Sequence, residues 1–295
     1  MTLVPAGRHA RGAALLLVLW LIALLAALVG AFALTARTEH LQGRVLHRGV
    51  VASEAARAGL EHAVARIIDT TPEGRWLPDG RDYAWRFHDA ALTLRIVDET
   101  GKVDLNVAQP PLLAALLQAA GAEADMAEQL AGAIADWRDT DDLGQPSGAA
   151  EDPQYAAAGL PYGAKDAPFE DVGELQQVLG MTPALYAAVA PHVTVHSGLP
   201  SPDPRFAGAL VLQAMGLDPQ PVLEQRTQLS GITPPPDLLG AGTGTYSIDS
   251  HARLADGREA VLRAVVRVGG GAPGTAYTPL FWNEGVSVSE PQSSP

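Results

Sequence analysis

Six carboxylates fall within 17 residues of the stretch DWRDTDDLGQPSGAAEDPQY: Asp136, Asp139, Asp141, Asp142, Glu151 and Asp152. Charges of one sign this close repel one another unless water solvates them or a cation is shared. An EF-hand counted from Asp139 has Asp141 in third place and Gly144 in sixth, but Leu143 in fifth and Ala150 in twelfth, so that motif fails. Hard oxygen ligands without His or Cys still suit calcium, and main-chain carbonyls of the Gly/Pro loop can complete roughly six to eight ligands. A solvated acidic loop is the competing reading of the same spacing. Asp136 and Glu151 are also the carboxylate pair a hydrolase would need, but no catalytic constellation surrounds them. The eight histidines are scattered, and neither His-Glu-x-x-His nor Gly-x-Ser-x-Gly occurs. The absence of cysteine removes thiol catalysis, thiolate metal sites and disulfides together. GGGAPG at 269–274 fits the dinucleotide glycine pattern, yet Pro273 and the adjoining TAYTPLFW open no helix, so it reads as a turn.

The acidic block lies within a helical pattern. From about Asp104 to Leu199 run PPLLAALLQAAG, DMAEQLAGAIADWRD, DVGELQQVLG and TPALYAAVAPHV, with Gly121 and Gly180 as C-caps of two similar helix-then-Gly units. Strand patterns flank this module. Tyr83, Trp85 and Phe87 alternate with polar neighbours, then Leu92, Leu94 and Ile96 do likewise, which predicts an antiparallel pair turning at 88–90. A second pair is predicted from Tyr246, Ile248, Ser250, Ala252 and Leu254, turning through Asp256-Gly257 into REAVLRAVVRV. The helical module is therefore inserted into a small antiparallel sheet. TQLSGITPPPDLLGAGTG reads as a Pro/Gly loop.

At the other end, RHARGAALLLVLWLIALLAALVG begins at Arg8, and residues 12–36 carry no charge. A helix of that length spans roughly 36 Å, enough to cross a bilayer, and exceeds the apolar core of an ordinary cleaved signal. Arg8 and Arg11 keep the short N-terminus cytoplasmic and direct the chain beyond the apolar run to the opposite side of the membrane. The pattern continues past Arg37 through Leu41, Val45, Val51, Ala55, Ala58, Ala63 and Ile67, predicting one helix over about 13–69. Its first half belongs in lipid and its amphipathic second half on a folded domain, with Gly43, Gly49 and Gly59 as weak points for bending. The formal net charge of −13 becomes −15 without the two leader arginines, and such a surface repels nucleic-acid phosphates.

A charged leader ending in Gly12, an apolar helix starting at Ala13, its amphipathic extension and a sheet together resemble a type IV pilin-like precursor, in which a prepilin peptidase cuts after the glycine. LNVAQPPLLAALLQAAG, IADWRDTDD, GAAEDPQYAAAGLPYGAKDAPFEDVGELQQVLGM and VAPHVTVHSG, in that order, resemble type II secretion system protein K, a minor pseudopilin. The resemblance implies an α+β fold: a pilin-like long N-terminal helix packed on a small antiparallel sheet, with a large inserted helical domain. It divides the chain into a leader (1–12), a membrane half of the helix (13–36), the amphipathic helix and first strands (37–103), and the inserted helical domain with the acidic block (104–200). The remainder with the C-terminal strands (201–285) and a disordered tail (286–295) complete it. Ordinary pilins carry glutamate at the fifth mature position, where this chain has Leu17, and the same absence is typical of protein K. A carboxylate in lipid normally needs a partner, which in pilins is a neighbour's N-terminal amine, and Leu17 cannot make that contact. The implied role is non-enzymatic: an inner-membrane, single-pass protein, mostly periplasmic, at the tip of the pseudopilus with other minor pseudopilins. Its further implied partners are the prepilin peptidase, the inner-membrane secretion machinery and the bilayer, with calcium bound through the acidic block. A minor pilin of a type IV pilus shares the leader logic, and the helix-then-Gly units also resemble helix-hairpin-helix DNA-binding modules. Against DNA stand the acidity of the segment and the presence of only two lysines, Lys102 and Lys165.

Overall fold

The computed structural model describes residues 10–69, 71, 74–228, 244–269 and 275–288. The leader before Ala10, residues 229–243 of the Pro/Gly loop, residues 270–274 of the glycine turn and the end of the tail lie outside the described residues. The chain divides between Val51 and Ala52 into two units.

Helix α1 (Ala10–Ile67) runs unbroken for 58 residues and begins three residues ahead of Ala13. In the first unit, Leu15–Ala33 forms 19 residues of mean hydropathy 2.9 with no side chain buried, long enough to cross a membrane. In the second unit the helix presents one buried stripe, Ala52, Ala55, Ala56, Leu60, Ala63, Val64 and Ile67. That spacing is the i, i+3, i+4 rhythm of an amphipathic helix. The bend expected at Gly59 is not found. Gly59 is instead the point of closest approach to the sheet, where an added Cβ would lie 2.3 Å from Ser250 Oγ and 2.7 and 2.8 Å from methyls of Leu92 and Leu94.

Strands β1 (Asp79–Phe87) and β2 (Ala90–Asp98) form the first hairpin, closed by Phe87 opposite Ala90, with His88 in the left-handed region at φ 51°. The chain then leaves the sheet through a 3₁₀ turn (Glu99–Gly101) and β3 (Val103–Asp104). The helical body comes next, with α2 (Pro110–Ala119), α3 (Ala124–Arg138), α4 (Asp152–Ala157) and α5 (Pro183–Val189). DVGELQQVLG forms a 3₁₀ helix at Val172–Gln177 rather than an α-helix. Gly121 and Gly180 both adopt the positive φ expected of caps. β4 (Val193–Thr194) pairs in parallel with β3. The helical body does not end near residue 200, because α6 (Ala209–Ala214) places Val211 and Leu212 in the same core as Leu113, Leu117, Ile134, Trp137 and Tyr155. α7 (Pro219–Gln228) extends it further. β5 (Thr245–Arg253) and β6 (Arg258–Val268) form the second hairpin, turned at Gly257 with φ 83°. β7 (Tyr277–Val288) is the last strand and runs into the segment read from the sequence as tail.

The five-stranded sheet has the order β1-β2-β5-β6-β7, all antiparallel. Period-2 alternation puts Leu92, Leu94, Ile96, Ile248, Ala252, Leu262 and Ala264 on the face that receives α1. Sheet and helical body are tied by Glu99, which is 1% exposed. Its carboxylate accepts from Lys102 Nζ at 2.6 Å and from the hydroxyls of Ser247 on β5 and Thr194 on β4. These partners, Lys102 above all, hold Glu99 below the usual carboxylate range against the cost of burial.

Where α1 leaves the sheet, His62 stacks on Trp85 with ring centroids 4.1 Å apart and meets the edge of Trp76 at 5.2 Å. Burial, with Arg66 nearby, lowers the His62 pKa. A depressed folded-state pKa means that its contribution to stability is present above about pH 6.5 and lost as pH falls through the folded value. Unfolding in urea at pH 7.5 and pH 5.5 should show the unaltered chain losing more stability on acidification than His62→Gln. Equal losses would show that His62 titrates as it does in the unfolded chain.

Candidate functional site

α3 ends at Arg138 because Asp139 turns to an extended conformation, with φ −80° and ψ 172°. The chain then doubles back across the helix it has just left. Gly148 lies so near α3 that an added Cβ would fall 2.3 Å from the carbonyl oxygen of Gln129. Asp136, fully buried, holds this return: its carboxylate accepts from the Gln145 N–H at 3.0 Å and the Ala150 N–H at 2.7 Å. The next residue, Glu151, stands at the start of α4 and is 7% exposed.

The six carboxylates separate into two groups. Asp136, Asp139 and Glu151 are drawn inward, while Asp141, Asp142 and Asp152 remain exposed. Asp141 accepts from the Leu143 N–H at 2.9 Å and shapes the loop, and Asp152 lies against Gly163, where a Cβ would collide with it. A seventh acid, Asp166, whose backbone lies in the left-handed region at φ 54°, joins the inner group electrostatically. Lys165 beside it is pinned by Glu174 at 2.9 Å, and Glu174 also accepts from Trp137 Nε1 at 3.4 Å. Asp166 lies outside the 17-residue cluster, and its spacing carries no sign of this approach.

Arg138 offsets part of the charge on Asp139, but the acids of the inner group raise one another's pKa values. Burial pushes the Glu151 pKa up to about 7, reinforced by Asp136, Asp139, Asp166 and Asp142. Asp139 is raised by burial and by Asp141, and Asp136 by burial, its backbone hydrogen bonds notwithstanding. Arg138, whose charge favours the ionised form of Asp139, donates its guanidinium to the carbonyls of Leu105 and Ala108. Asp139 Oδ1 and Glu151 Oε1 are fully buried without a hydrogen-bond partner. An orphaned buried carboxylate oxygen costs on the order of 1–3 kcal/mol or more, and two of them among like charges fit a hard cation as the missing partner. As they stand, no three acidic or histidine side chains among the described residues are gathered closely enough to enclose a metal.

At the N-terminal end, Gly12 and Ala13 fall in the first turn of α1, and Leu17 is 70% exposed on the apolar stretch. The junction between Gly12 and Ala13 is thus part of a helix that continues without interruption into the sheet-bound half.

Against known proteins, the family model of type II secretion system (T2SS) protein K matches residues 92–198. Type II secretion system protein K of Pectobacterium carotovorum subsp. carotovorum is 27% identical over 206 residues, and a second relative, from Escherichia coli (strain K12), is 29% identical over 204. The matched stretch spans 62% of the length of each of these curated relatives. The fold is similar to a chain in the crystal structure of the GspK-GspI-GspJ complex from the enterotoxigenic Escherichia coli type 2 secretion system. The TM-score is 0.58 at 16% identity, and the match covers 83% of this chain and 99% of that one. The family match begins inside β2, crosses α2 to α5 with the whole acidic group and ends just past β4. That is the inserted body at the point where it joins the helix and sheet, and over these residues the chain is similar to type II secretion system protein K.

Proposed function

We propose that this chain is a minor pseudopilin: a non-enzymatic inner-membrane subunit that sits at the tip of a periplasmic pseudopilus and helps to start its assembly for protein export. The observation that carries the reading is α1 itself, apolar over Leu15–Ala33 and sheet-bound from Ala52, in a chain whose inserted body matches the protein K family. Such a helix can stand in a bilayer and later in a filament shaft without changing its own structure. Leu17 places no carboxylate in lipid and so offers no counter-charge to the N-terminus of a subunit added above it, which suits a terminal position. The bulk of the inserted body also suits a tip better than a repeated shaft position. Other minor pseudopilins are the partners, as the complex that contains the similar fold suggests.

Calcium is the cation proposed for the inner carboxylates. Asp139 and Glu151 would supply their orphaned oxygens, with Asp136 and Asp166 beside them, and the ion would relieve the repulsion that raises the pKa values of this group. In a chain without cysteines it would also fasten the returning loop to α3 and α4.

The processing step tests the reading. Cleavage by the prepilin peptidase between Gly12 and Ala13, with methylation of the new N-terminal alanine, is expected in a cell that carries the peptidase. Intact mass and N-terminal sequencing of the membrane-extracted protein measure it. A mature chain starting at any other residue, or an uncut Met1, sinks the pseudopilin assignment.

A further inference from the structure

β7 is the last strand of the sheet, and none of the described residues forms strand pairs along its outer edge over 12 residues. The two sheet edges are built differently. β1 carries two ion pairs in its first half, Arg81 with Asp79 at 2.5 Å and Asp82 with Arg95 at 2.8 Å, and its register slips between Asp79 and Asp82. Charges and a bulge on an edge discourage pairing with another chain. β7 has a single charged residue, Glu284, and Arg57 of α1 takes it at 2.8 Å. Phe281 and Trp282, 38% and 39% exposed, stand near its middle on opposite faces.

The neighbouring strand supplies charge on the face away from α1. Arg263 of β6 lies opposite Asn283, and Val261 opposite Gly285, where an added Cβ would meet nothing within 4 Å. Small, uncharged residues therefore separate Arg263 from the open edge. Its side chain is 64% exposed, and Asp249 is 4.0 Å away, the limit of an ion pair. On the same face Arg253 answers Glu259 at 2.8 Å, so Arg263 and the exposed Arg267 leave this border with more arginines than carboxylates on a chain of net charge −13.

A row of unpaired main-chain N–H and C=O groups is complemented by another extended backbone. The arginines beside it favour acidic side chains on that backbone. We propose that the outer edge of β7 receives an extended, acidic strand from a neighbouring pilin-like subunit, an inference that rests on the pseudopilin reading above. Phe281 and Trp282 would cover the incoming strand from its two faces, and Arg263 would set its register through charge.

The test uses the full-length chain in membranes of cells that carry its secretion system, with the photo-crosslinking residue benzoylphenylalanine placed singly at Asn283 and at Gly285. Arg86 on β1 and Trp20 on α1 are the comparison positions. The expected result is a crosslink from both β7 positions to one pilin-like subunit identified by mass spectrometry, none from Arg86, and a several-fold weaker β7 crosslink when Arg263→Glu is added. Crosslinks from Trp20 to pilin-like subunits, with none from either β7 position, overturn the strand-docking proposal and leave the pseudopilin reading standing. Crosslinks from β7 only to a second copy of this chain, or only to exported proteins, overturn it as well. Failure of every position, Trp20 included, to reach a pilin-like subunit counts against the pseudopilin reading on which the proposal depends.

Discussion

Gly59→Val should detach the lower half of α1 from the sheet and lower the stability of the second unit by about 3 kcal/mol, the upper part of the range for overpacking a dense core. The Cβ alone would stand 2.3 Å from Ser250 Oγ and within 2.8 Å of Leu92 and Leu94, and valine adds two more methyls to that space. Neither side can yield readily. Leu94 and Ser250 are fully buried on the paired strands β2 and β5, and the helix is fixed above and below by Ala56, Leu60 and Ala63. Gly49→Val is the control, because a Cβ there meets nothing within 4 Å and the change should stay within about 0.5 kcal/mol. Urea unfolding of the detergent-solubilised full-length chain, monitored by tryptophan fluorescence, separates the two. Equal midpoints for both variants would show that α1 is not seated on the sheet through Gly59.

Calcium at about 1 mM should stabilise the helical body by roughly 1.4 kcal/mol if its affinity is that of extracellular sites, about 10⁻⁴ M, and magnesium should do much less. The melting temperature then rises by about 3–6 °C. Glu151→Gln makes the test specific, because its effect should change sign with the metal. In chelator the substitution removes a buried charge from among four other acids and should stabilise the chain, whereas in calcium it removes a ligand and should destabilise it. The pH dependence derives from the raised Glu151 pKa. A carboxyl titrating near 7 when folded and near 4.5 when unfolded adds stability that is present below pH 4.5 and lost as pH rises through 7. In chelator the unaltered chain should therefore lose up to about 3 kcal/mol relative to Glu151→Gln between pH 4.5 and pH 8. Superimposable melting curves in calcium and chelator would leave the acidic group without a metal.

Local periodicity carried much of the architecture. The alternation of Tyr83, Trp85 and Phe87 against Leu92, Leu94 and Ile96, and the Asp256-Gly257 turn, specified both hairpins, because strand pairing across a short turn depends on neighbours in the chain. The same holds for α1, whose alanine and leucine content and freedom from proline allow one helix over 58 residues. β7 was harder to see. Pro279 and the bulge opposite Val265 and Val266 interrupt its alternation, and an edge strand has less need of a buried face.

The candidate metal group shows where local reasoning stops. The sequence determined that a dense acidic block comes directly after a helix, and that its chemistry excludes soft-metal and thiol roles. Only the tertiary structure decided that Asp136, Asp139 and Glu151 turn inward, that Asp141, Asp142 and Asp152 face water, and that Asp166 approaches from another segment. The same is true of Gly59, which by propensity is a weak point in a helix and in the fold is the one size of residue that fits against Ser250. Propensity and spacing report how a residue relates to its near neighbours in the chain. Burial and charge repulsion depend on which distant segments pack against it, and those distances exist only after the chain has folded.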